Sequence, residues 1–441
     1  MILKNVTIEN FRMIENCTIE FDNKFNLIIG NNATGKTSVL EAIKVGLGGF
    51  LAGVDGVKTV HFSKDDVRRT TSPMGMGSYD IQYHTPTTVN CVTDFDGKEI
   101  IWNRSKSSYQ SSRTTVMPKK ISNYSSKIVQ EKNSILPIIS YQSAGRMWSQ
   151  KRDKWEDVFE GSYSRSVGYT DCLASESNIK LITNWCKRME QISWQQEKKI
   201  AEYEAVKKAV SIFMNTLENC NNKSTIFYDK RTEELVYSSE GETIPMRFMS
   251  AGYRSLIGMI VDIAYRMAVL NPNLEEDIIE KTNGIILIDE IDVHIHPKWQ
   301  WKIVDALMNT FPSVQFIATT HSPIVVASCK DKNIINLFDS DKSTSTIEFA
   351  NNYKKSAYGW QVNDVLNEYM GVDERSPEFK VKLKEVEKLS LEKIKNQLTE
   401  EGKTMLKELK DEIYSNLPES DAVIELTELG TIEEIINGRG E

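Results

Sequence analysis

The sequence predicts an α/β head built on a parallel sheet with helices on its faces. Three observations carry that expectation. Phe25-Asn26-Leu27-Ile28-Ile29 is a short apolar run that ends in a glycine loop and enters a helical pattern with Val39, Leu40, Ile43 and Leu47 at helical spacing. Ile285-Ile286-Leu287-Ile288 is continuously apolar, as a strand covered on both faces should be. A helical stretch from Trp299 to Thr310 separates it from another run, Val314 to Thr319, and strand–helix–strand order is that of a parallel sheet.

The remaining elements follow from local patterns. Residues 1 to about 29 alternate as paired strands, with Val6, Ile8 and Phe11, then Cys17, Ile19 and Phe21. From 51 to about 135 the chain is rich in Ser, Thr, Gly and Tyr, with short strand-like runs near Asn90-Cys91-Val92 and Ile100-Ile101-Trp102, which predicts a strand-rich lobe with long loops. Leu136 to Tyr141 returns to a buried-strand pattern. Ile179, Ile182, Trp185, Met189 and Ile192 recur at three and four residues, so 177 to 217 is expected to be helical. Strands are expected over 226 to 244, a helix over 251 to 270, and charged helices after about residue 353.

Composition limits the function classes. The 441 residues suit two or three structural units, and 40% hydrophobic with 26% charged content reads as globular. No apolar stretch approaches the length that spans a bilayer, and the N-terminus shows no signal-peptide pattern. Cys17, Cys91, Cys172, Cys186, Cys220 and Cys329 form no CxxC pair, which argues against a zinc site or a disulfide framework and suits a reducing cytoplasm. A net charge of −8 gives no overall attraction for nucleic acid. The basic pairs Lys119-Lys120, Lys151-Arg152, Lys198-Lys199 and Lys207-Lys208 read as solvated helix faces ahead of a local DNA-binding groove.

Chemistry concentrates in four places. Gly30-Asn31-Asn32-Ala33-Thr34-Gly35-Lys36-Thr37 fits G-x-x-x-x-G-K-[ST] in full, between a strand and a helix. Its backbone N–H groups would point at phosphate oxygens, with Ser38 in the same first turn. Lys36 would reach the β- and γ-phosphates of ATP, and the Thr37 hydroxyl would meet Mg²⁺. Asp289 and Glu290 end an apolar strand at the edge where ligands collect in α/β sheets. Asp289 is expected to hold Mg²⁺, and Glu290 to orient and polarise the attacking water. Thr319-Thr320-His321-Ser322-Pro323 ends the next strand, where His321 could contact the γ-phosphate. His294 and His296, two apart with no cysteine nearby, read as loop contacts. Ser250 and Gly252 open a helix and read either as an ordinary N-cap or as a second anion site serving the ATP of another copy.

The four parts, in this order, resemble ABC-type ATPase heads of the SMC, RecF and OLD kind. Asn10-Phe11-Arg12 is similar to that group's opening strand, and Arg12 is expected to contact nucleotide. Ser250-Ala251-Gly252-Tyr253-Arg254-Ser255-Leu256 resembles the signature motif. Asp289-Glu290-Ile291-Asp292 resembles the Walker B strand running into the D-loop, which implies that Asp292 lies at a dimer interface. Thr320 to Pro323 resembles the switch-histidine segment. The resemblance implies a split P-loop head: 1–150 as its N-terminal part, 151–222 as a helical insertion, 223–352 as its C-terminal part and 353–441 as a helical tail.

Leu136 to Trp148 is similar to a segment of stand-alone ATPases in bacterial anti-phage systems of the Septu type. At its strand end Gln142 takes the position where ABC heads keep a Mg²⁺-contacting glutamine, and Arg146 could reach phosphate or nucleic acid. Gly359 to Gly371 resembles the start of the tail in the same group, a segment that docks a partner or packs on its own head. The resemblance implies a homodimer or larger homo-oligomer and a separately encoded HNH nuclease as partner. A RecF-like repair ATPase that binds DNA directly is the other reading. Asp339-Ser340-Asp341 reads as a polar hairpin turn, so no nuclease activity is expected in the chain.

Overall fold

Among the described residues, five short strands form the parallel sheet on which the site is built. In spatial order they are Ile334–Asn336, Phe25–Ile29, Val314–Thr319, Gly284–Ile288 and Ile138–Gln142. Every neighbouring pair is parallel. All five strands are buried along their whole length, which is why their sequences run apolar without alternating. The computed structural model describes residues 1–32, 34–75, 78–145, 164–175, 179–219, 224–330, 334–337, 356–395, 397–418, 421 and 423–424. Ala33, Arg146, Cys220 and the Asp339-Ser340-Asp341 segment lie outside them.

A second, antiparallel sheet takes the order Ile14–Glu20, Ile2–Phe11, Thr87–Phe95, Lys98–Lys106, Thr115–Met117. The Lys36–Leu51 helix touches both sheets and is buried almost all round, hence its apolar residues and glycines on every side. Gln315 joins the sheets. Its amide donates to the Leu3 and Asp22 carbonyls and accepts from the Leu3 N–H at 2.8 Å, so a polar residue inside a buried strand is fully used. The lobe also contains a helix, Lys120–Gln130, that its Ser- and Lys-rich sequence does not announce.

The described part of 151–222 holds a short 3-10 helix, Arg165–Tyr169, and two α-helices, Ile179–Gln195 and Ala201–Glu218. Both pack on Ala251–Leu270, and Thr225–Asp229, Glu234–Ser239 and Glu242–Pro245 form a three-stranded antiparallel sheet beside them. The single helix expected from Trp299 to Thr310 is instead two pieces, Pro297–Gln300 and Ile303–Thr310. Gln300 is held at the break: its amide donates to the Ile295 carbonyl at 3.0 Å and accepts from Ser322 Oγ at 2.8 Å.

The chain divides into Met1–Met370 and Gly371–Glu441. The boundary falls after the expected tail start at 353, because Val362–Glu368 packs on the Pro323–Ser328 helix of the first unit. The second unit is a helical hairpin of Pro377–Ile394 and Glu400–Asn416, capped by Ser376 and Thr399 and closed over Leu389, Leu406 and Ile413. Among the described residues no helix is long and apolar enough to cross a membrane.

Candidate active site

Strand register gathers the candidate residues along one edge. Ile288 pairs with Gln142 on one side and Ala318 on the other, while Thr319 pairs with Ile28. Residues just beyond these rows therefore lie side by side at the carboxyl end of the sheet: Asp289, Glu290, Thr320, His321 and the loop at Gly30.

The loop is shaped for close backbone approach. Gly35 caps the Lys36–Leu51 helix at φ 94°, ψ 16°, a left-handed conformation that a side chain would strain. The helix start directs its free N–H groups at the loop, an arrangement that binds phosphate. Lys36 Nζ donates to the carbonyls of Gly30 at 2.7 Å and Asn31 at 3.0 Å. Burial pushes its ammonium below the ordinary lysine value, and the charges of Glu290, Asp289 and Asp292 pull it back up. Thr34 closes the loop by donating to the Asn31 carbonyl at 2.9 Å. Asn31 and Asn32 are exposed, and Ser38 sits in the first helical turn.

Thr37 and Asp289 meet across the sheet edge, with the hydroxyl 3.3 and 3.2 Å from the two carboxylate oxygens. Asp289 also accepts from Thr319 Oγ1 at 2.7 Å. That same hydroxyl oxygen accepts from the Glu290 N–H at 2.8 Å. Thr319 thus fixes both acids at once. Glu290 occupies the left-handed region at φ 49°, uncommon for a residue with a side chain and concentrated at functional sites. Sequence reading does not single out Thr319, since a threonine ending a β-strand is ordinary. Replacing it with Val keeps its shape and removes both hydrogen bonds. We expect kcat for ATP to fall about 10- to 100-fold with KM little changed, and Thr319→Ser to recover most of it in steady-state assays.

The donor set suits magnesium. A hydroxyl and a carboxylate supply oxygen only, and Mg²⁺ keeps waters and takes its other oxygens from phosphates. Among the described residues no group of three His, Cys, Asp or Glu side chains could hold a metal. Thr37 and Asp289 are the residues that would hold it.

Other expected residues are disposed differently. Asp292 turns into its own chain, where its carboxylate accepts from Thr320 Oγ1 at 2.6 Å and the His321 N–H at 3.3 Å. His321 is exposed at the same edge. Arg12 lies on the turn beside the loop, yet its guanidinium donates to Asp66 at 2.9 Å and stands 3.9 Å from Glu41. Its neighbour Met13, not Arg12, lies against Gly35. Gln142, expected at a Mg²⁺ contact, is placed on another face of the sheet edge. Side chains alternate along a strand, and Gln142 shares the face of Ile288, so it projects away from the face on which Asp289 meets Thr37. Its amide instead donates to Asp262 at 2.8 Å and Ser140 at 3.0 Å.

Ser250 and Gly252 open the Ala251–Leu270 helix. Ser250 is exposed and accepts from the Tyr253 N–H at 3.5 Å as the N-cap. A Cβ on Gly252 would stand 2.5 Å from the His294 carbonyl oxygen, so only glycine lets the helix start lie against the segment that follows Asp292. Tyr253 adds an edge contact to Trp299 at 4.6 Å. His294 and His296 are loop residues here: His294 supplies that carbonyl, and His296 caps the Pro297–Gln300 helix.

A family model described as AAA domain matches residues 5–234. Over 387 residues the chain is 26% identical to a retron Vc95 probable ATPase of Vibrio cholerae serotype O1 biovar El Tor, covering 75% of this chain and 72% of that protein. It is 24% identical over 412 residues to the Septu protein PtuA of Bacillus thuringiensis, covering 88% and 89%. It is 23% identical over 453 aligned positions to a retron Ec83 probable ATPase of Escherichia coli, covering 85% and 77%.

Proposed function

Because the chain belongs to the AAA domain family, we propose that it binds ATP with Mg²⁺, hydrolyses it at a site completed by a second copy, and thereby controls a PtuB-like HNH nuclease in a bacterial anti-phage complex. The observation that carries the ATPase reading is the hydrogen-bonded set Thr37, Asp289, Thr319 and Glu290 beside the Gly30–Thr37 loop. Likeness to a Septu protein and two retron ATPases over most of their lengths supports the defence role.

In this reading the backbone from Gly30 to Ser38 cradles the phosphates, and Lys36 leaves its loop carbonyls for the β- and γ-phosphate oxygens. Bound Mg²⁺ supplies neutralisation of charge on those oxygens. Thr37 and Asp289 orient toward it. Glu290 holds a water in line with the γ-phosphorus and takes its proton, while His321 steadies the γ-phosphate from the next strand. Ser250 and Gly252 of the second copy approach the same phosphate, supplying N–H groups of a helix start. Turnover is slow, since a regulator acts through how long nucleotide stays bound. Exposed Val381, Ile394 and Met405 on the tail hairpin are the proposed contacts for the partner.

The test is purification of the chain alone and with the HNH protein encoded beside it. The chain alone is expected to release phosphate and leave DNA intact, and the pair to cleave DNA in a manner changed by Lys36→Ala. DNA cleavage by the chain alone would contradict the reading.

A further inference from the structure

We infer that Asp262 is a positioning residue for the composite ATP site, tying the signature helix to the strand edge that carries the catalytic acids through Gln142. The inference rests on the proposed role of Ser250 and Gly252 toward a second copy.

The tie has two ends. At one, the Gln142 carbonyl accepts from the Asp289 N–H at 2.8 Å, so Gln142 is bonded directly to the backbone of the metal-holding residue. At the other, the Gln142 amide nitrogen donates to Asp262 Oδ2 at 2.8 Å and to Ser140 Oγ at 3.0 Å. A carboxylate only accepts, so Asp262 fixes which way the amide faces, and both amide protons are used.

Asp262 is itself anchored. Arg266 Nε stands 3.1 and 3.0 Å from its two oxygens, with side chains only 5% and 14% exposed for Arg266 and Asp262. Arg266 Nη1 then donates to the Gly168 carbonyl at 3.0 Å and the Thr170 carbonyl at 2.8 Å. The segment beyond it returns to the same strand, where the Tyr141 N–H donates to the Cys172 carbonyl at 2.8 Å. Charge-assisted bonds out of water are strong and geometrically exacting.

Asp262 lies twelve residues along the Ala251–Leu270 helix from Ser250, a rise of about 18 Å in a continuous helix. Apolar burial along that helix is enough to keep it docked, but apolar contacts are non-directional. Directional bonds run from Arg266 to the Gly168 and Thr170 carbonyls and from the Tyr253 hydroxyl to Glu218, and the Gln142–Asp262 bond is the one that reaches the edge carrying Asp289. It sets the azimuth of the helix, and with it the aim of Ser250 and Gly252, against the strand ending at Asp289 and Glu290.

The test uses the full chain carrying Glu290→Gln, so that ATP is bound and not consumed. Gln142→Leu fills the same space and leaves the Asp262–Arg266 pair intact. Ser140→Ala and Asp262→Asn are the companion variants, the latter keeping an acceptor for the amide. Self-association with Mg²⁺ and ATP is followed by sedimentation, affinity by a fluorescent ATP analogue, and folding by thermal unfolding. We expect Gln142→Leu to weaken ATP-dependent association about tenfold or more, the scale of one hydrogen bond to a charged group, with nucleotide affinity within about twofold. Asp262→Asn should lose less, and the Gln142→Leu/Asp262→Asn double variant no more than Gln142→Leu alone.

Association unchanged in Gln142→Leu, while Ser250→Arg abolishes it, overturns the inference and leaves the composite site standing. Weakened nucleotide or Mg²⁺ binding with association otherwise intact also overturns it, in favour of direct metal contact. No ATP-dependent association in the Glu290→Gln parent removes the composite-site reading, and the inference with it.

Discussion

Glu290→Gln is expected to slow phosphate release at least about 100-fold while leaving ATP affinity within a few-fold of the parent chain. The side chain keeps its length and its backbone stays pinned, because the Glu290 N–H bond to Thr319 at 2.8 Å is untouched by the change. What is lost is the group proposed to take a proton from water, a contribution of about 10²–10⁴ in rate. The charge change also matters to Lys36, whose ammonium is supported first by Glu290 among the three acids that act on it. One carboxylate fewer leaves the other two in place, so ATP binding survives. The variant should therefore hold ATP and accumulate as an ATP-bound dimer, seen by single-turnover phosphate release and by sedimentation. A variant that hydrolyses at the parent rate would assign the base elsewhere.

The parts of this site that are legible in the sequence are those whose chemistry is carried by contiguous residues. Gly30 to Thr37 and Asp289-Glu290 each announce a strand end and the role proposed for it in one stretch, and the parallel sheet follows from the apolar runs beside them. Thr319 is not legible, because its hydroxyl acquires meaning only when Val314–Thr319 pairs with Gly284–Ile288 and brings it to Asp289. Gln142 shows the opposite difficulty. Its position at a strand end was readable, but a period of two decides which face it takes, and that depends on the register Ile288–Gln142. Asp262 reads as a charged residue in a largely apolar helix, and only its tertiary bond from Gln142 links it to the strand edge. The break at Gln300 was hidden for the same reason: its bonds to Ile295 and Ser322 are tertiary.

Ser250→Arg is the other change with a large expected effect. Ser250 is exposed, and its hydrogen bond within the chain is long, 3.5 Å to the Tyr253 N–H. Loss of an exposed N-cap costs about 1 kcal/mol, so the isolated chain should remain folded. If this surface meets a second copy's triphosphate as proposed, the longer side chain occupies the room that Ser250 and Gly252 would leave for phosphate. Hydrolysis is expected to fall at least about 100-fold, with nucleotide binding by the single chain retained. Lys36→Ala should be inactive for a separate reason, since it removes the charge that holds the β- and γ-phosphates.

Two inactive chains then interrogate the geometry together. In a mixed dimer of Lys36→Ala and Ser250→Arg, one composite site carries both substitutions and the other carries neither. ATP hydrolysis measured across a series of mixing ratios should reappear, peaking near equal amounts. If mixed dimers form and no ratio restores hydrolysis, or if Ser250→Arg alone is fully active, nucleotide is not shared between the Lys36 loop of one copy and the Ser250 helix of the next.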